Sequence, residues 1–193
     1  MHAILRIIAL CGTLLLAACS GVPEGFGEDK PTEIAGLTTE IMNLGPGIDP
    51  EEAARAAEIA ILYPGVLARE YEIEDPPLMH NFKVNRGLKP RGLCKHWAED
   101  MQVRLRQENF RTLELHRAIA NADNPLLIDH STVIIGRKGD AWDDGIVLDP
   151  WRYGGPLFWA KVTEDDRYPW RNRIDVFAER REWQASRGVA VEF

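Results

Sequence analysis

The chain has 193 residues, with 23 Lys and Arg against 30 Asp and Glu, giving a net charge of −7. An acidic balance of this size excludes nucleic acid and anionic lipid headgroups as general partners, because both need a cationic surface. The length fits one domain able to bury a sizeable core without a disulfide.

Residues 1–18 hold a short positive start (His2, Arg6), an apolar run from Ile4 to Leu16, and the small residues Ala17 and Ala18 before Cys19. The run falls short of the roughly 20 residues that a spanning helix needs. It resembles a bacterial lipoprotein signal. That resemblance implies cleavage before Cys19, diacylation of the Cys19 sulfur, acylation of the new amine, and a chain anchored to the membrane rather than crossing it. Ser20, where inner-membrane lipoproteins usually carry Asp, points to the outer membrane and a periplasm-facing domain. A plain export signal or an uncleaved anchor is the alternative. With Cys11 removed and Cys19 lipidated, Cys94 has no disulfide partner, and a lone thiol in an oxidising compartment is a liability unless buried or used.

Residues 19–48 are rich in Gly, Pro, Glu and Thr and read as a flexible tether, so the folded domain is expected over 49–193. Asp49 can cap a helix whose first turn is Pro50-Glu51-Glu52 and which runs to about Leu62. Tyr63-Pro64-Gly65 is expected to break it, with a second short helix from Val66 to about Tyr71 and a stop at Asp75-Pro76-Pro77. Asn81 to Gly92 reads as a loop. Cys94, Trp97, Ala98, Met101 and Leu105 then recur at i, i+3, i+4, i+7 and i+11, the stripe of an amphipathic helix with Cys94 at its start. Three strand-like runs follow, Arg111 to Ala118, Leu126 to Arg137 and Gly145 to Trp151, the last two as an antiparallel hairpin. Leu157 to Val162 suggests a further short strand, and Asp175 to Arg187 a closing helix. The arginines around it (Arg171, Arg173, Arg180, Arg181, Arg187) alternate with acids and read as a solvated face.

Cys94, His130 and Asp149, in that order, are the candidates for a thiol triad of nucleophile, base and orienting carboxylate. Unpaired N–H groups and the dipole at a helix start stabilise a thiolate. The same N–H groups can face an oxyanion, and Gly92 lets a carbonyl come close to the backbone. His96 lies about 200° around the helix from Cys94 and cannot be its base. His130 sits in a β-branched strand and Asp149 ends the next, so pairing can set them side by side. Asn81 and Asn85 are candidates for a side-chain oxyanion donor against the ordinary reading as turn formers. Trp97 and Trp151 are candidate cleft walls, with core packing favoured for Trp97. His80, His96 and His116 with Asp149 match no metal-ligand spacing, so neither metal nor other cofactor is expected.

The segment from Arg91 to Arg152 resembles the transglutaminase-like superfamily in three matches: Gly92-Leu93-Cys94, Asp129-His130-Ser131 and Val147-Leu148-Asp149-Pro150. The resemblance implies an α+β papain-like fold in which helices, one of them bearing the cysteine, pack on an antiparallel sheet. It makes Cys94 the nucleophile, His130 the general base and then acid, and Asp149 the orienting carboxylate. The chain departs from the family at Lys95, where a Trp commonly follows the cysteine, and at Ser131-Thr132-Val133-Ile134, where aromatic and acidic residues are common. The function implied is thiol acyl chemistry on amide bonds, by hydrolysis or transfer, with a protein or peptide substrate that an envelope location extends to cell-wall peptide. A catalytically inactive scaffold lipoprotein of the same fold and a cell-wall cysteine peptidase are the alternatives.

Overall fold

A computed structural model describes residues 29–187 and shows a mixed α+β fold. The leader, Cys11, Cys19 and the first part of the expected tether lie outside the described residues. Among the described residues there are five helices, α1 Lys30–Met42, α2 Pro50–Glu70, α3 Pro77–Asn85, α4 Cys94–Arg106 and α5 Arg173–Ser186. Five strands, β1 Leu113–Ala120, β2 His130–Arg137, β3 Ile146–Asp149, β4 Phe158–Lys161 and β5 Arg171–Asn172, form an antiparallel sheet in the order β4-β3-β2-β1-β5. No helix of the described residues is long and apolar enough to cross a membrane.

The central strand β2 is buried on both faces, and its alternation divides the molecule. Val133 and Ile135, with Ile146 and Leu148 of β3, face the main core, which takes Ala53, Ala57 and Ile61 from α2 and Ala98, Met101 and Leu105 from α4. The alternate residues, Ile134 with Val147 and Ala118, face a second core closed by Trp170. A third, smaller cluster at one end of the sheet joins Leu67 and Tyr71 of α2 to Cys94, Trp97 and Trp151. The site lies at that end.

Three expectations need correction. The stretch read as a tether contains α1, capped by Asp29, whose side chain accepts from the Thr32 N–H. Leu37 and Ile41 of α1 are fully buried in the main core, so the folded unit begins before residue 49. Ile34, Leu37 and Ile41 stand at i, i+3 and i+7, a stripe diluted by the Gly and Thr around it. Secondly, α2 runs unbroken through Pro64, which is itself buried. The missing hydrogen bond costs a few kcal/mol, but Ala60, Ile61, Leu67 and Tyr71 all lie in the interior on either side of it. Thirdly, residues 77–85 form α3, not a loop; Pro77 is pre-set for the first helical turn, so the Pro76-Pro77 pair starts a helix where it was read only as a stop.

The start of α2 also fixes where β1 begins. Asp49 caps the helix by accepting from the Glu51 and Glu52 N–H groups, as the sequence suggests. Glu52, 3% exposed, accepts from the Arg111 and Thr112 N–H groups at 2.8 Å each and from the Thr112 hydroxyl at 2.6 Å. Burial pushes its carboxyl up, but these hydrogen bonds prevail and hold it down at about 2. Glu52→Ala leaves two backbone donors unpaired under α2 and is expected to cost about 1–3 kcal/mol in urea unfolding at neutral pH. A carboxyl lowered by folding contributes above its ordinary value of 4.5 and loses that contribution as pH falls towards about 2. The gap between wild type and Glu52→Ala should therefore narrow through that window; a constant gap would mean that the ionised carboxylate is not the acceptor.

Candidate active site

The site is assembled from the start of α4, the start of β2 and the end of β3. In the β2–β3 register Val133 stands opposite Leu148, and His130 and Asp149 fall on the same face as Ile134 and Val147. His130 Nε2 lies 2.7 Å from Asp149 Oδ2, and both side chains are almost fully buried. A carboxylate only accepts, so Nε2–H donates and Nδ1 is the nitrogen left for chemistry. Nδ1 is buried without a hydrogen bond. Trp151, Tyr168 and Trp170 surround the imidazole, with ring centroids 4.6, 4.5 and 5.2 Å away.

That face of the sheet is opposite the one α4 packs on. Cys94 nevertheless comes near the histidine, because it stands over the sheet's end, where its thiol donates to the Asp129 carbonyl at 3.5 Å. Trp151 joins the two, belonging to the Cys94 cluster while its ring meets His130. Cys94 is a free, buried thiol, 7% exposed. Burial opposes the charged form of His130, but Asp149 and then Cys94 outweigh it and raise the imidazole to about 9.

Arg152, which the sequence reading passed over, supplies the rest of the charge balance. Its backbone N–H and Nε donate to Asp149, at 3.2 and 3.0 Å, and its two Nη groups donate to Asp165 at 3.0 and 2.6 Å. Asp165 also accepts from Trp170 Nε1, and the Arg152 guanidinium lies 3.5 Å over the Phe158 ring. Two carboxylates and one guanidinium are buried together, so the group is neutral only when His130 carries its second proton. Burial pushes the Asp149 carboxyl up, but the charges of His130 and Arg152 prevail and hold it down.

The oxyanion candidates separate. Asn81 of α3 is buried and lines a cavity with Cys94. Trp151 Nε1, a donor only, gives its hydrogen bond to Asn81 Oδ1 at 3.1 Å, which fixes the amide and leaves Nδ2 without a partner among the described residues. The Cys94 and Lys95 N–H groups are likewise unpaired among the described residues. Asn85 is exposed at the rim of the same cavity. Donors of this kind around a thiol can stabilise the oxygen of a tetrahedral intermediate.

Gly92 and Trp97 do not belong to the cleft. Gly92 has φ +116°, and a Cβ there would meet His80 Nε2 at 2.4 Å, so the glycine makes room for a buried histidine rather than for substrate. His80 Nε2 in turn donates to the Arg91 carbonyl at 2.8 Å. Trp97 is 1% exposed, donates to the Gly92 carbonyl at 3.0 Å and meets Tyr71 edge-on, which makes it core. His96 accepts from the Gly92 and Leu93 N–H groups and so braces the start of α4. Among the described residues no group of three or more His, Cys, Asp or Glu could hold a metal ion. The closing arginines are not all solvated: Arg180 pairs with Asp129 at 2.7 Å and Arg171 with Asp123 at 2.6 Å, tying down the loop that leads into His130.

Comparison of the chain with protein-family models, with curated proteins and with solved structures finds no match.

Asp149→Asn removes the charge that raises His130 and leaves burial, so the imidazole should titrate at or below the ordinary value of about 6.5, measured by NMR of the ring. A histidine raised by folding contributes stability fully below about 6.5 and loses it as pH rises through about 9. Denaturant unfolding of the wild type should therefore weaken across that interval, by about 3 kcal/mol at most, and Asp149→Asn should be flat there. Equal slopes in the two proteins would exclude the ion pair as the cause.

Proposed function

We propose that this protein is a cysteine-dependent acyl hydrolase or acyltransferase acting on amide bonds of a protein or peptide, built on a transglutaminase-like, papain-like site. The observation that carries the reading is the buried His130–Asp149 pair, which leaves Nδ1 without a hydrogen bond and has the Cys94 thiol near enough to help raise the imidazole. The reading extends to lipid anchoring at Cys19 in a cell envelope, on the strength of the leader sequence alone.

In the proposed reaction the Cys94 sulfur, its proton transferred to His130 Nδ1, attacks the amide carbonyl carbon and forms a C–S bond. The carbonyl oxygen takes the displaced electron pair, facing the Cys94 N–H and Asn81 Nδ2. Collapse breaks the C–N bond, and the imidazolium gives its proton to the departing amine. Water or a second amine then loses a proton to His130 and attacks the thioester, and the sulfur leaves with the proton returned to it. Asp149 holds the imidazole's tautomer throughout.

The test uses peptide p-nitroanilides, with hydroxylamine as a competing acceptor. Release of nitroaniline with Cys94-dependent hydroxamate formation is expected, because hydroxylamine captures the thioester. Cys94→Ala should abolish turnover, and His130→Ala and Asp149→Asn should lower kcat by about a thousandfold or more. Asn81→Ala should lower kcat about a hundredfold with little change in KM. Iodoacetamide should alkylate folded wild type at Cys94 and do so more slowly in His130→Ala. A thiol that reacts only after unfolding would return the chain to the scaffold class.

A further inference from the structure

The cavity beside Cys94, about 680 Å³ in volume, is within the range of small-ligand sites. Its charge is unusual for an acidic protein. Lys95 and Arg106 reach it from α4, Arg117 from β1 and Arg173 from the start of α5. None of the four has an ion-pair partner among the described residues. Of the two acids on its wall, Asp129 is paired with Arg180 at 2.7 Å, and Glu99, mostly exposed, partly offsets the charge of Arg117. With four cationic side chains against two acids, the cavity carries a net positive charge next to the thiol.

Arg117 is the informative member. On β1 it alternates with Leu115 and Ile119, on the side of the sheet that faces α4, where an apolar residue would cost nothing. Its Nε is buried and has no hydrogen bond. Burial draws the guanidinium down to about 10, with neighbouring Arg173 pushing the same way, and it remains protonated at neutral pH. A half-buried guanidinium without an anionic partner is partly desolvated and is stabilised by whatever pairs with it. Its two Nη groups, which keep accessible surface where Nε does not, present a planar fork that matches the two oxygens of a carboxylate. A dianionic phosphate fits less well, since Glu99 and Asp129 also line the wall.

We propose that this cavity is the acyl-donor subsite for a substrate bearing a carboxylate, paired with the Nη groups of Arg117 and attracted by Arg173, Lys95 and Arg106. The proposal rests on Cys94 as the nucleophile and adds a substrate class, an acidic peptide, to it.

Two alkylating agents of nearly equal size test it. Iodoacetate carries a carboxylate and iodoacetamide its neutral amide, and the ratio of their rates at Cys94 in the urea-unfolded chain is the reference. In the folded wild type the iodoacetate-to-iodoacetamide ratio should rise about tenfold above that reference, and in Arg117→Gln it should return to within about twofold of it. Arg173→Gln should lower it partially. Independently of thiol chemistry, titration of the Cys94→Ala protein with acetyl-Ala-Glu-Ala-amide should shift the Arg117 Nε–H resonance in ¹⁵N NMR, and the Gln peptide should leave it unmoved. This second measurement needs no change at Arg117, so a misfolded Arg117→Gln does not remove the test. An unraised ratio in wild type, with both reagents reacting, or an Nε–H resonance indifferent to the Glu peptide, overturns the carboxylate site while leaving the nucleophile intact. A folded thiol inert to both reagents overturns the acyl-transfer reading instead, and the NMR titration alone then decides whether the cavity takes a carboxylate.

Discussion

The site depends on one buried carboxylate. Asp149 is almost wholly removed from water at the end of β3, and a lone ionised carboxylate there would cost several kcal/mol. His130 and Arg152 bind it from two sides, and Asp165 holds Arg152 in turn. Each member is satisfied by the next, and Trp151, Tyr168 and Trp170 exclude water around the imidazole. Removing any one of them would leave an uncompensated charge in an apolar setting. The same constraint orients the catalytic candidate, because a histidine whose Nε2 is committed to a carboxylate has only Nδ1 to offer.

The helix and the sheet meet around this network in a way that strand alternation alone would not suggest. His130 belongs to the face of the sheet turned away from α4. Cys94 comes near it because His130 is the first residue of its strand and α4 starts over the sheet's end, with Trp151 filling the corner. Gly92 contributes to that placement: its left-handed backbone, closed over by His80, brings the chain into α4 at the required angle. Asn81 is set by the same corner, through its hydrogen bond to the Trp151 indole.

The two sides of the thiol differ in electrostatics. Towards His130 the surroundings are aromatic and charge-balanced. Towards Arg117 they are cationic and open to a cavity, which suits an incoming anion. A net acidic surface around a cationic cavity concentrates that attraction at one place.

Local pattern alone located the Cys94 helix, the Asp49 cap and the β2–β3 hairpin, because the 3.6- and 2-residue periods and the capping side chain report only on neighbours along the chain. Cys94, His130 and Asp149 stood out through their order along the chain and the family resemblance, and only the structure places His130 at the very start of its strand. Local pattern misread α1, Pro64 and α3, where burial against distant elements outweighed a diluted stripe, a helix breaker and a Pro pair. Nor could it find Arg152, Asp165 or Arg117, since an arginine beside an aspartate in sequence looks the same whether solvated or buried. Only the packed structure decided which guanidinium is neutralised and which is left without a partner, because desolvation is a property of what surrounds a charge and not of the charge's place in the chain.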